Sequence, residues 1–162
     1  IHNEILAKFS ENIGIRRFAT VETKGFIESY NHVGNKLGVL IEVTTENVND
    51  KARTMIRDIA MQIAAMNPLY ISRDLVPAEK IEKEMEIYRE IAAQEGKKPE
   101  IAERVATGRL EKFYQENCLM EQAFVKDSQK TINDVVKEIS AECGSDVKIA
   151  GMHRFLLGES LD

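Results

Sequence analysis

Apolar residues recur along this chain with two periods, and the places where the period changes mark its elements. Over residues 25–45, GFIESYNHVGNKLGVLIEVTT, Phe26, Ile27 and Tyr30 give β-prone character to the first half. Val39, Leu40, Ile41 and Val43 make the second half apolar enough to be largely buried. Between them runs Asn31-His32-Val33-Gly34-Asn35-Lys36, so the stretch predicts two strands joined by a polar loop. Polar groups on a loop held by a scaffold are where binding residues concentrate. Just ahead, residues 15–22 (IRRFATVE) set Ile15, Arg17, Ala19 and Val21 against Arg16, Phe18, Thr20 and Glu22, which predicts another strand with no clear buried side. Thr23-Lys24-Gly25 is turn chemistry, with Gly25 able to take a positive φ, and three consecutive antiparallel strands are expected.

Helical spacing governs most of the remainder. Ile5, Leu6 and Phe9 predict a short helix over residues 3–11 with Gly14 as its stop. Ala52, Met55, Ile56, Ile59, Ile63 and Met66 share one face of a helix over residues 50–66 that should lie on the sheet, its methionines acting as core filler. Asn67-Pro68 ends it, and residues 70–76 read as an irregular bridge. Residues 77–95 and 99–117 are highly charged helical stretches separated by Gly96-Lys97-Lys98, each opening on a proline suited to a first helical turn. Narrow seams of Ile81, Met85, Tyr88 and Ala92, and of Ala102, Ala106, Leu110 and Phe113, fit a two-helix coiled coil. At about 1.5 Å per residue each arm reaches roughly 28 Å, and so thin a seam leaves most of its surface wet, so the pair is expected to project. Residues 118–126 return the chain to the body. Thr131 and Asp134 then resemble a capping box, Ile132, Val135, Val136 and Ile139 supply a stripe, and Gly144 is a stop. Residues 147–157 read as a closing strand. Arg154-Phe155 there echoes Arg17-Phe18, as if two strands occupied similar places in one sheet.

The predicted fold class is therefore α+β: a small antiparallel sheet of three or more strands covered by helices, with a protruding antiparallel helical hairpin. Residues 1–76 and 118–162 make the core domain, with 77–117 as an inserted coiled-coil hairpin.

Composition narrows the function. With 162 residues, 43% hydrophobic and 30% charged, the chain is long enough for a real core. Its 27 acidic against 22 basic residues give a net charge of -5, which disfavours a nucleic-acid partner. Cys118 and Cys143 stand 25 positions apart without a metal or redox spacing, and read as two buried, reduced thiols of a cytosol-like compartment. No apolar run is long enough for a membrane span, and the charged amino end does not fit a signal peptide. Opening on Ile1 suggests a fragment or processed product. His2, His32 and His153 are scattered, and Gly34 and Gly38 make no phosphate-cradling loop, so neither an enzyme nor any cofactor or metal is expected. On residue chemistry alone His32 is either an idle hairpin residue or a contact, and His153 reads as structural.

Several stretches resemble bacterial-type elongation factor Ts: ENIGIRRFATVE, SYNHVGNKLGVLIEV, DIAMQIAAMNPLYISRDLVP, AERVATGRLEKFYQENCLMEQAFVKD and HRFLLGE, together spanning nearly the whole chain. The resemblance implies the carboxy-terminal, dimerisation part of that family's core with its coiled-coil hairpin. It also implies elongation factor Tu as partner, guanine-nucleotide exchange as the activity, and a cytoplasmic setting, or an organellar matrix or stroma for an organelle-targeted form. The family's loop between the two central strands, which docks away from the nucleotide, matches Tyr30, His32, Gly34, Asn35 and Lys36, with His32 the leading position. Two departures limit the carry-over. The family's Thr-Asp-Phe-Val wedge is absent, with TTENVNDKAR following Val43, and Ala123 stands where a proline is common. The expectation is a fragment that docks without wedging. A homodimerisation module, using an exposed sheet edge or apolar surface, stays open as the alternative.

Overall fold

The central hairpin forms as its pattern requires. β1 (Phe26–Asn31) pairs antiparallel with β2 (Leu37–Val43), in a computed structural model that describes residues 14–32 and 34–160. The alternation of β2 sends Val39, Ile41 and Val43 inward, all three buried. β5 (Ile149–Leu156) pairs antiparallel along the other edge of β2, with Val39 opposite Arg154 and Ile41 opposite Met152, so the order is β1-β2-β5.

Two helices cover the inner face. α1 (Asp50–Met66) begins where the Asn49 side chain accepts from Ala52 N at 2.8 Å and ends where Asn67 turns left-handed. It buries Ala52, Ile56, Ile59 and Ile63 against the sheet, at roughly 1.5–3 kcal/mol for each large side chain. α4 (Ile132–Cys143) opens on the full reciprocal capping box of Thr131 and Asp134, stops at the left-handed Gly144, and buries Ile132, Val135, Val136 and Ile139 in the same core. Leu119, fully buried, fills the remaining space.

α2 (Ala78–Gln94) and α3 (Pro99–Asn117) run antiparallel, tied by Arg89 Nε to Glu103 at 2.6 Å and Arg109 to Glu95 at 2.9 Å. Their seam is as narrow as its spacing predicts. Only Ala92 is buried on α2, and α3 buries Ala102 and Ala106 along the arm. At the base, Val76, Phe113, Tyr114 and Cys118 form a second, smaller cluster. Arg73 clamps it from outside, donating to Glu121 at 2.6 Å and Glu111 at 3.1 Å while lying 4.6 Å from the Tyr114 ring.

Several expectations need correction. Residues 15–22 form no strand. Gly14–Thr20 are exposed throughout, with Phe18 87% exposed, because their alternation offers no apolar face to compensate for ordering a strand. The third strand is β5 instead. The two Arg-Phe segments are not equivalent strands but touch: Arg17 donates to Arg154 O at 3.0 Å and lies 4.4 Å from the Phe155 ring. Gly25 does not take a positive φ; it permits close approach to β2. Met66 is 49% exposed rather than core filler, and Pro77 precedes α2 as its cap, whereas Pro99 is inside α3. Cys143 is only half-buried. A short hairpin of β3 (Ala123–Phe124) and β4 (Asp127–Thr131) had no counterpart in the sequence reading. The helix expected over residues 3–11 lies outside the described residues.

Candidate functional site

The loop between β1 and β2 is closed by its own backbone. His32 N donates to Leu37 O at 2.9 Å and Asn35 N to His32 O at 3.0 Å, with Gly34 (φ 87°) and Asn35 (φ 54°) both left-handed. Glycine and asparagine are the residues that tolerate this, so the turn follows from the local sequence. Leu157 N donates to Lys36 O at 2.7 Å, which ties the loop to the chain leaving β5. His32, Gly34, Asn35 and Lys36 are exposed and Tyr30 is half-buried; Val33 lies outside the described residues.

Four of the five sequence-expected positions therefore sit on one turn, with Tyr30 at the end of β1 beside it, and two of the five meet directly. The Tyr30 hydroxyl is 3.0 Å from His32 Nδ1, with ring centroids 6.0 Å apart. Beside the turn opens a cleft of about 370 Å³, where Asn31, Asn35 and Lys36 face Arg16, Arg17 and Phe155. Sequence reasoning missed what braces the loop from below, namely Glu28 on β1 with Arg53 and Arg57 on α1. The available signal was the Phe-x-Glu-x-Tyr alternation of β1 against an Arg-x-x-x-Arg spacing on the facing helix.

This arrangement offers hydrogen bonds and the ammonium charge of Lys36. His153 lies elsewhere, opposite Leu40 on the outer sheet face and stacked on Phe155 at 6.4 Å. Burial pushes the Cys118 thiol up to about 11 and raises Cys143 as well, so neither is an activated thiolate. Among the described residues no group of three or more His, Cys, Asp or Glu could hold a metal, and no helix is long and apolar enough to cross a membrane.

The fold and this turn define an α+β protein with a paired helical arm and a braced, exposed polar loop suited to recognition. The chain belongs to the Elongation factor TS family, whose profile matches residues 1–159. It is 43% identical to elongation factor Ts of Clostridium kluyveri over 159 residues, covering 98% of this chain and 52% of that protein. It is also 43% identical to the factor of Halothermothrix orenii over 162 residues, with 100% and 52% covered. With that of Clostridium botulinum it shares 41% over 160 residues, with 98% and 52% covered. The chain thus spans about half the length of the curated relatives it matches.

Proposed function

We propose that this chain docks on elongation factor Tu through the loop carrying Tyr30, His32, Gly34, Asn35 and Lys36, as part of a factor that promotes GDP/GTP exchange. The observation that carries the reading is an exposed polar turn, closed by its own backbone and braced from α1 and from the end of β5, in a chain of this family. Preorganisation of this kind lowers the entropic cost of binding. The 162 residues contain no Thr-Asp-Phe-Val, which supports affinity and geometry, rather than the wedge, as this stretch's share. We read residues 1–76 and 118–162 as the core and 77–117 as an inserted arm, on the strength of the arm's separate small cluster and wet surface. The working place on this reading is the cytoplasm, or the matrix or stroma of an organelle.

His32→Ala in the full-length factor is expected to weaken binding to nucleotide-free elongation factor Tu about 10-fold, or about 1.4 kcal/mol, by titration calorimetry. Unchanged affinity would remove His32 from the site. A second reading, homodimerisation, is favoured by one feature of the outer sheet face, where Ala19, Val21, Leu40, His153 and Phe155 line a mostly apolar cleft of about 230 Å³. Sedimentation across a concentration series separates the two, and a strict monomer at the highest concentration would dispose of the dimer.

A further inference from the structure

Phe26, Glu28 and Tyr30 stand in a row on the inner face of β1, opposite Val43, Ile41 and Val39. α1 lays two arginines, one turn apart, across that row. Arg53 Nε donates to Glu28 Oε2 at 3.1 Å and Arg57 NH1 to Oε1 at 3.3 Å, while the guanidiniums lie 5.8 Å from the Phe26 ring and 6.0 Å from the Tyr30 ring respectively. Glu28 is only 3% exposed, and a buried carboxylate is costly to leave unpaired, so it fixes both cations over their rings. The row ends at Tyr30, whose hydroxyl meets His32 Nδ1.

The contact has a preferred direction. Among the described residues His32 Nδ1 is the partner of the Tyr30 hydroxyl, which can donate to a bare Nδ1 or accept from an Nδ1–H. A phenol is the better donor and an unprotonated imidazole nitrogen the better acceptor of the two groups. That chemistry favours the phenol as donor, which leaves Nε2 as the ring's N–H.

Resting on the reading of this loop as the docking surface, we propose that Tyr30, and Arg57 acting through it, are positioning residues for His32. They present Nε2–H as a fixed donor whose complement on the partner is a carbonyl or carboxylate oxygen. Arg57 need not touch the partner for this. It holds the Tyr30 ring, and the ring holds the imidazole.

The test uses the full chain with labelled histidines, reading the His32 Nδ1 nitrogen resonance and cross-relaxation between the Tyr30 and His32 rings, alongside affinity for elongation factor Tu. Tyr30→Phe keeps the ring and removes the donor. It should move the Nδ1 resonance away from its hydrogen-bonded position and weaken binding about 5-fold, the scale of one neutral hydrogen bond. In a His32→Ala background the same change should cost less than about 2-fold, because the two residues act as one unit. Arg57→Met leaves Glu28 paired to Arg53, and should reduce the ring-to-ring cross-relaxation and weaken binding about 3-fold. An Nδ1 resonance indifferent to Tyr30→Phe, or a full 5-fold loss persisting without His32, overturns the proposal. If His32→Ala leaves binding unchanged while Nδ1 still answers to Tyr30→Phe, the docking reading falls and the positioning stands.

Discussion

Gly25 shows how one backbone approach can fix a residue type. A Cβ placed there would lie 1.9 Å from Val43 O, 3.0 Å from its carbonyl carbon and 3.1 Å from the Thr44 carbonyl carbon, all backbone atoms of the neighbouring strand end. No rotamer change relieves such a clash, so the start of β1 would have to move off β2. Gly34 makes the opposite case, with a positive φ but open space where a side chain would go. Gly25→Ala is therefore expected to cost more than about 2 kcal/mol in urea unfolding, and Gly34→Ala about 1 kcal/mol or less. The reverse order would refute the close-approach reading. The sequence marked both glycines as turn residues, and nothing local separates a glycine needed for φ from one needed for space. Gln62 was illegible for a related reason. It is fully buried on α1, yet its amide accepts from Val125 N at 2.8 Å and donates to Ala123 O at 3.0 Å and to Gln122 at 3.2 Å. Those partners come from some sixty positions away, on a hairpin too short for periodicity to announce. The same holds for Arg57, whose partner Glu28 is 29 positions back, so the loop's residues could be read off the turn but not their support.

Whole elements were legible where period and punctuation agreed. α1, α3 and α4 each carry a stripe together with a cap or a proline, and all three form with the expected bounds or within two residues of them. Residues 15–22 had alternation without an apolar side, and period alone did not make a strand. The capping box of α4 also makes a pH prediction. Thr131 N donates to Asp134 Oδ2 at 3.0 Å and the Thr131 hydroxyl donates to it at 2.7 Å, with Lys137 beside the other oxygen. The Thr131 backbone bond first, then its hydroxyl and Lys137, bring the Asp134 carboxyl down to about 2 from an ordinary 3.8. A folded value below the unfolded one means the stabilisation is complete above the ordinary value and drains as pH falls through the window from about 4 to about 2. Asp134→Asn preserves an acceptor without the charge, so the melting temperature of the variant should fall less steeply than wild type across that window. Parallel curves would show that the box contributes nothing through ionisation.

At the scale of the molecule, the polar loop rests on a sheet whose inner face is locked to α1, while the foot of the helical arm is held by Arg73, which donates to Glu111, and by Gln122, which meets Gln62 and donates to Glu116 O. An exchange factor works only if it binds the nucleotide-free partner better than the loaded one, since equal affinity for two states shifts neither. On the proposed reading this loop docks away from the nucleotide, and where it meets the empty and the loaded partner equally, the differential contacts come from elsewhere in the factor. On the proposed reading, the isolated 162-residue chain binds elongation factor Tu yet leaves its GDP release within about 2-fold of the spontaneous rate. Stopped-flow fluorescence with labelled GDP measures this directly, with binding verified in the same samples by calorimetry. Stimulation approaching that of a full-length factor would mean that these residues themselves distinguish the empty from the loaded partner, and that the docking loop reaches further into exchange than its position on the sheet implies.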